Sequence, residues 1–239
     1  MADQSDTGGA HGSQHRLGSL LNGLRATVLG ANDGIVSTAG LVVGVAGATP
    51  HREALLVAGI AGTLAGALSM AAGEYVSVST QRDTERAALA RERRELADDP
   101  QGELEELAGL YRERGLSEEL SHRVARELTE HDALRAHAEV ELGLNRYRVD
   151  PWQAAFASLF SFVLGALVPL TAMLLSSDAW RLPVTVAAVL VATGTLGAVS
   201  ARMGGALPGR AALRCVVGGS FAMLVTYLVG TLVGQFTSL

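Results

Sequence analysis

The chain contains no lysine, one cysteine and few charged residues for its length. Of its 239 residues 18% are charged, whereas a soluble domain of this size carries about 25%. All 19 basic residues are arginine, which we attribute to nucleotide composition, and the formal net charge of −5 argues against nucleic acid as a partner. A lone Cys215 supports neither a disulfide framework nor a cysteine-based zinc site.

Motifs of several common enzyme classes are also absent. The sequence has no H-E-x-x-H, G-x-S-x-G or Walker A motif, so metalloproteases, serine hydrolases and ATP-driven pumps have no support. One E-x-x-H, from Glu119 to His122, is half of the pattern that di-iron helical bundles require, and no second copy accompanies it. We therefore expect a protein that is not an enzyme.

Long apolar blocks dominate what is present, and 49% of the residues are hydrophobic. A helix needs roughly 20 apolar residues to cross a bilayer. Residues 1–16 are polar and lack the apolar stretch of a signal peptide, so we expect a short disordered tail there. The sequence predicts five transmembrane helices, at about 26–48, 54–79, 152–176, 183–203 and 211–236.

Between the second and third apolar blocks the composition changes abruptly. Residues 82–150 hold 18 of the 24 acidic residues and 12 of the 19 arginines, which indicates a water-facing insert. Ser117 followed by two glutamates is typical of a helix start, and Gly143 is a candidate helix end. We predict three helices in this insert, at roughly 81–97, 101–114 and 118–145.

These features predict an all-α polytopic membrane protein with five transmembrane helices and a three-helix insert. We divide the chain into the N-terminal tail, transmembrane helices 1 and 2, the helical insert, and transmembrane helices 3 to 5. The corresponding ranges are 1–16, 17–80, 81–150 and 151–239.

Arginine placement near the ends of the apolar blocks predicts the orientation. Arginines concentrate before the first block, beside the insert and between the last two blocks, whereas only Arg52 and Arg181 lie at the opposite ends. Because positive residues favour the cytoplasmic side, we expect the N-terminus and the insert to be cytoplasmic and the C-terminus to lie on the other side.

Two acids, Asp33 and Glu74, lie within the apolar blocks. A charged side chain at the bilayer centre costs at least about 2.5–3.5 kcal/mol, so each should face protein, water or an ion. The alternatives are an interfacial acid for Glu74 and a structural helix-to-helix hydrogen bond for Asp33. Met70 shares a helix face with Glu74, four residues on. A thioether beside carboxylates suits Fe²⁺, Mn²⁺ or Co²⁺ better than Ca²⁺ or Mg²⁺.

The insert repeats a second pattern of candidate ligands. Glu92 and Glu95 are three residues apart on its first helix, and Glu103 and Glu106 repeat that spacing on its second helix. Such pairs project from one helix face, and packed helices of this kind could enclose cations. On the third helix His137 and Glu141 add a nitrogen and an oxygen. The alternative is a solvated helix surface whose glutamates are balanced by neighbouring arginines.

The motifs GANDGIVS (30–37) and SMAAGEYVSVSTQRD (69–83), with two spans, an acidic insert and three spans, resemble the vacuolar iron transporter family of Fe²⁺/Mn²⁺ transporters. The resemblance covers the chain from about residue 17. It implies a five-span homodimer that exchanges metal for protons, with Asp33 and Met70 in the intramembrane pathway and Glu74 nearby. It also assigns the cytoplasmic metal site to residues of the insert, namely Glu92, Glu95, Glu103, Glu106 and Glu141.

Two positions depart from the plant-like members of that family. His137 stands where those members carry methionine, which keeps a ligand but alters its softness. Gly62 stands where they carry an acid in the second span, which removes a carboxylate from family-style proton coupling.

The sequence therefore predicts a dimeric carrier that exports Fe²⁺ or Mn²⁺ from the cytosol by proton antiport, and it does not rank these ions against Co²⁺ or Zn²⁺. The metal is the transported substrate, no cofactor is permanently bound, and the expected membrane is a bacterial plasma membrane. Two alternatives stay open: a membrane-anchored metal sensor or storage protein that does not transport, and an intramembrane enzyme in which Asp33 is catalytic.

Overall fold

A computed structural model describes the backbone of residues 8–144 and 150–237, and side chains from residue 27 to 144 and from 150 to 236. Within these ranges the fold is all-helical, with seven helices and no strands. This confirms the predicted fold class at the level of its helices. The helices are α1 (Gly8–Ala48), α2 (Arg52–Asp98), α3 (Pro100–Glu113), α4 (Glu118–Val140), α5 (Pro151–Leu175), α6 (Arg181–Met203) and α7 (Pro208–Thr237).

The second apolar block and the first insert helix form one helix, α2, of 47 residues. We predicted two helices here, at 54–79 and 81–97, because the composition changes from apolar to charged. No glycine, proline or helix cap separates them, however, and the Thr84 hydroxyl donates to the backbone carbonyl of Thr80, the residue between the two predicted helices, at 3.0 Å. A change of polarity therefore alters the environment of a helix without ending it.

The predicted helix breaks within the insert are confirmed. α2 ends at Asp98, and the Asp99 side chain accepts a hydrogen bond from the Gly102 backbone N–H at 2.9 Å, capping α3. Ser117 caps α4 by accepting from the Leu120 N–H. The turn before it contains Gly115 at φ +97°, a conformation that glycine adopts without strain.

Two helix ends differ from the predicted ones. α4 ends at Val140 and not at 145, with Gly143 in the left-handed region at φ +62°, while residue 145 lies outside the described residues. α1 begins at Gly8, so helix occupies part of the segment 1–16 that we expected to be a tail, and residues 1–7 lie outside the described range. The α4 difference is five residues at a helix end, where sequence-based boundaries are least reliable.

The chain divides into two compact units, of which the first comprises Met1–Val76 and Asp150–Leu239. In this unit α1 packs against α5, α6 and α7. The approach of α1 to α5 depends on glycine, since a Cβ at Gly34 would overlap the Phe162 carbonyl and a Cβ at Gly165 would overlap the Ala31 carbonyl. An apolar core of residues from α1, α2, α5, α6 and α7 fills the unit.

Five described helices are long and apolar enough to cross a membrane, in agreement with the five predicted blocks. Their outward faces carry large apolar side chains that are more than half exposed, including Leu64, Phe160, Leu164 and Phe221. Such a continuous apolar exterior is unfavourable in water and favourable in lipid. The first unit is therefore that of an integral membrane protein.

The second unit spans Ser77–Val149 and contains the polar part of α2 together with α3 and α4. Its apolar core is small and consists of Leu107, Ala108, Ala125 and Ala136. Within α4 the backbone leaves the helical region at Asp132, whose carboxylate accepts a hydrogen bond from the Arg135 N–H and so caps the last part of that helix.

Candidate metal sites

A cleft of about 320 Å³ lies in the membrane unit between α1, α2 and α5. Asp33 and Met70, the two residues assigned to a transport pathway from the sequence, both line it. On α1 the lining residues Asp33, Ser37 and Leu41 follow one another at intervals of four, so they lie on one face of that helix. On α2 Gly62, Gly66 and Met70 have the same spacing and likewise share a face. The lining residues are Asp33, Ser37, Thr38, Leu41, Gly62, Gly66, Ser69, Met70 and Phe162.

The cleft combines one carboxylate with a thioether and several hydroxyl groups. Among the side chains that the structure describes, Asp33 is the one ionisable residue that lines the cleft, and Met70 and Ser69 of α2 line it as well. The Ser37 hydroxyl is not free, because it donates to the Asp33 backbone carbonyl. Oxygen and thioether donors around one acid form a set that an intermediate transition-metal cation accepts.

Glu74, the third residue predicted for the pathway, does not line the cleft. It is half-buried, one residue before Tyr75, whose ring lies 4.8 Å from that of Trp152. Aromatic side chains of this kind are frequent at the edge of a membrane, which fits the alternative that Glu74 is an interfacial acid.

Gly62 lies deeper in the cleft and gives the departure at this position a structural meaning. A Cβ at Gly62 would meet the Leu41 side chain at its Cδ2 atom. The Leu41 side chain therefore packs over the Gly62 backbone, so the contact at this level of the cleft is apolar.

Four ligand-bearing side chains of the second unit converge on one point. Glu92 of α2, Glu103 of α3, His137 of α4 and Glu141 after its end each offer one donor atom, and these atoms lie within 4.8 Å of one another. Donors around one first-row cation lie about 3–4.3 Å apart, since each is about 2.0–2.2 Å from the ion. Small side-chain movements would therefore complete a coordination shell.

The His137 imidazole lies at the centre of this cluster. Its Nδ1 is 3.0 Å from Glu92 Oε1, 3.2 Å from Glu141 Oε2 and 3.6 Å from Glu103 Oε2. The side chains of His137 and Glu92 are 0% and 1% exposed, and His137 Nε2 has no hydrogen-bond partner. One N–H group can donate to only one of three carboxylates, whereas a divalent cation attracts all of them.

The electrostatics of the cluster favour neutralisation of its acids. Burial raises the pKa of Glu92, which lies beyond the apolar part of α2; the charge of Glu141 raises it further, and His137 opposes both effects. Burial also raises the pKa of Glu103, and the charge of the nearby Glu106 adds to this. Carboxylates that are costly to keep charged without a partner are suited to holding a cation.

Glu95 and Glu106, which the sequence placed in the same site, lie outside the four-residue cluster. Both are exposed, and Glu95 faces Arg91 at 3.6 Å, as expected of a solvated helix surface. They still act on the cluster, because the charge of Glu95 contributes to the raised pKa of Glu92 and Glu103. The spacing of three residues correctly predicted that the two glutamates of each pair are neighbours on one helix. Only their burial in the structure shows which glutamate of each pair belongs to the cluster.

Of the hydroxyl residues that line the cleft, Ser37 and Ser69 are weak candidates from the sequence for a nucleophile near Asp33, under the enzyme alternative. Thr38 was not singled out from the sequence. The lone E-x-x-H proved uninformative: His122 lies 3.6 Å from Glu105 on a largely exposed surface.

The fold and the two sites define a class: an all-helical integral membrane protein with an acid-lined intramembrane cleft and a His/Glu cluster. The chain belongs to the VIT family, whose model matches residues 24–231. The family comprises transporters and not enzymes.

Curated relatives agree with this assignment. The chain is 43% identical to a vacuolar iron transporter of Acanthamoeba castellanii, over 87% of this chain and 78% of that protein. It is 37% identical to vacuolar iron transporter homolog 5 of Oryza sativa subsp. japonica, over 91% and 84%. It is 36% identical to vacuolar iron transporter homolog 3 of Arabidopsis thaliana, over 89% and 84%.

Proposed function

We propose that this protein transports a divalent transition metal, Fe²⁺ or Mn²⁺, out of the cytosol in exchange for protons. The observation that carries the proposal is the cleft in the membrane unit, where Asp33 and Met70 face a common space. Relatives named vacuolar iron transporters support metal transport as the general activity. The metal ion is the substrate, and Co²⁺ and Zn²⁺ are competitors that the same ligand chemistry admits.

Asp33 supplies the charge that replaces part of the hydration shell of the ion. Met70 adds a soft ligand, which disfavours Ca²⁺ and Mg²⁺ relative to Fe²⁺ and Mn²⁺. An acid that binds the metal when ionised and releases it when protonated couples metal movement to proton movement. Position 62 is a glycine covered by the Leu41 side chain, so it supplies no acid to the cleft. We therefore assign the coupling of metal and proton movement to Asp33.

We further propose that residues 81–150 form a cytoplasmic domain that collects the metal through Glu92, Glu103, His137 and Glu141. Glu95 and Glu106 serve this domain from its exposed surface as an acidic approach for cations. The arginine distribution supports a cytoplasmic insert and N-terminus, and a cluster facing the cytosol implies export. A homodimer in a bacterial plasma membrane completes the proposal, the dimer from the family resemblance and the membrane from the arginine-only composition.

Reconstitution of the full chain into proteoliposomes tests the proposal. We expect Mn²⁺ or Fe²⁺ flux that increases when the pH gradient drives protons in the opposite direction. Asp33→Ala should reduce this flux by at least about tenfold, because a lost charged ligand weakens the interaction with the ion by that order or more. Asp83→Ala, which alters an exposed aspartate beside Arg86, is the matched control and should transport normally.

A metal-binding protein without transport is the second candidate, and the His/Glu cluster is the observation that favours it. This cluster is built within the polar unit and needs no membrane pathway to bind a cation. Metal binding by the reconstituted protein with no flux under any gradient would establish this candidate in place of the first.

A further inference from the structure

Hydroxyl side chains inside apolar helices usually bond to their own backbone, because nothing else in a bilayer can accept their hydrogen. This protein follows that rule at many positions. Thr193 donates to the Val189 carbonyl at 2.8 Å, and Thr226 donates to the Ala222 carbonyl at 2.9 Å. A buried hydroxyl that does not donate to its own helix therefore needs another hydrogen-bond partner or ligand.

Thr38 of α1 is such an exception. It is 2% exposed, and its Oγ1 atom has no hydrogen-bond partner. It is also one of the residues that line the cleft containing Asp33 and Met70. A buried hydroxyl without a partner is unfavourable unless something that enters the cleft satisfies it.

The position of Thr38 along α1 places it deeper than the proposed ligands. Five residues separate Asp33 from Thr38, which is about 7.5 Å along a helix axis at about 1.5 Å per residue. α2 runs in the opposite chain direction, so its cleft residues pass from Met70 to Gly62 over about 12 Å. Thr38 thus lies between the Asp33 and Met70 level and the point where Leu41 covers Gly62.

We propose that the Thr38 hydroxyl is a further oxygen ligand of the divalent cation, which meets it after Asp33 on the way through the membrane. This inference rests on the proposed transport function. A neutral oxygen binds a cation more weakly than a carboxylate does, and conduction requires sites that an ion can leave. It also adds a hard donor to a pathway that contains the soft Met70, which favours Mn²⁺ and Fe²⁺ over softer ions.

The test uses the full chain in proteoliposomes, with Mn²⁺ and Cd²⁺ flux measured as a function of concentration. Thr38→Val keeps the shape and removes the oxygen, and we expect its KM for Mn²⁺ to rise about tenfold. Thr38→Ser keeps the oxygen and should remain within about twofold of the wild type. Thr193→Val, a buried threonine whose hydroxyl bonds to its own helix, is the matched control and should leave KM unchanged.

Thr38→Cys replaces the oxygen by sulfur and keeps the inference testable if the valine variant is poorly produced. Direct coordination predicts that the Cd²⁺/Mn²⁺ flux ratio rises about tenfold or more in this variant. Unchanged Mn²⁺ KM in Thr38→Val, or an unchanged ratio in Thr38→Cys, would overturn the inference while leaving transport standing. A wild-type protein that moves none of these ions would overturn the proposed function and this inference with it.

Discussion

His137 is the central residue of the four-residue cluster, because three carboxylates lie within 3.6 Å of its Nδ1. Replacing His137 by alanine should lower the Mn²⁺ affinity of the full-length protein at least about tenfold, since even groups that only orient a metal ligand contribute 10–100-fold. Isothermal titration in detergent measures this affinity. Glu139→Gln is the control, because Glu139 lies on the same helix but pairs with Arg135 at the surface.

If His137→Ala and Glu139→Gln weaken binding equally, the four-residue cluster is not where the cation binds. Loss only in the first variant assigns the site to the buried residues.

Glu92 provides a pH-dependent prediction, since burial raises its pKa. A raised pKa means that the stabilising contribution is present below the ordinary glutamate pKa and is lost as the pH rises through the raised value. In metal-free protein Glu92→Gln, which cannot ionise, should therefore melt about 2–4 °C above the wild type near pH 8, with no difference near pH 4.

Saturating Mn²⁺ should reverse the order near pH 8, because the wild type gains more from binding than the variant does. Thermal unfolding with and without a chelator measures both effects. A wild type that is the more stable protein even without metal would contradict the assigned burial of a charged Glu92.

Residue spacing predicted which side chains share a face but not which of them are buried. Glu92 and Glu95 were equivalent in the sequence, yet one is buried beside His137 and the other is exposed beside Arg91. The difference depends on how α3 and α4 pack against the polar part of α2. Thr38 went unnoticed for a related reason: its significance lies in a missing hydrogen bond, which no sequence pattern records.

Helix packing in the membrane unit depends on glycine at a few close approaches. A Cβ at Gly230 of α7 would overlap the Gly44 carbonyl of α1, whereas a Cβ at Gly218 of the same helix meets nothing within 4 Å. Gly230→Ala should thus lower the melting temperature by several degrees, since overpacking typically costs about 1–3 kcal/mol. Gly218→Ala should be neutral or slightly stabilising, because alanine favours helix.

Equal melting temperatures of these two variants in detergent would contradict the α1–α7 packing described above.

The five membrane-crossing segments were predictable because hydropathy and length alone define a transmembrane helix. The continuity of α2 was missed because we took the change from apolar to charged residues near residue 80 as a helix end, although the sequence has no stop signal there. The predicted cap residue Ser117 did better: it marks a real helix start because its side chain satisfies a backbone N–H group.

At the level of the whole protein, the proposed orientation makes a prediction that labelling can test. In a Cys215→Ser background, Ser177→Cys lies between α5 and α6, and Glu118→Cys lies at the start of α4; both positions are exposed. A membrane-impermeant maleimide added to intact cells should modify the cysteine at 177 and not the one at 118. Labelling of position 118 from outside would place the proposed metal-collecting residues on the wrong side for export.

The central claim is that a divalent cation crosses the membrane through the cleft at Asp33. The most direct test is Mn²⁺ flux in proteoliposomes containing wild type or Asp33→Asn, which keeps the shape of the side chain and removes its charge. We expect the variant to lose at least about nine-tenths of the flux while the full-length protein still binds Mn²⁺ at the His/Glu cluster with unchanged affinity. Wild-type flux in Asp33→Asn would contradict it.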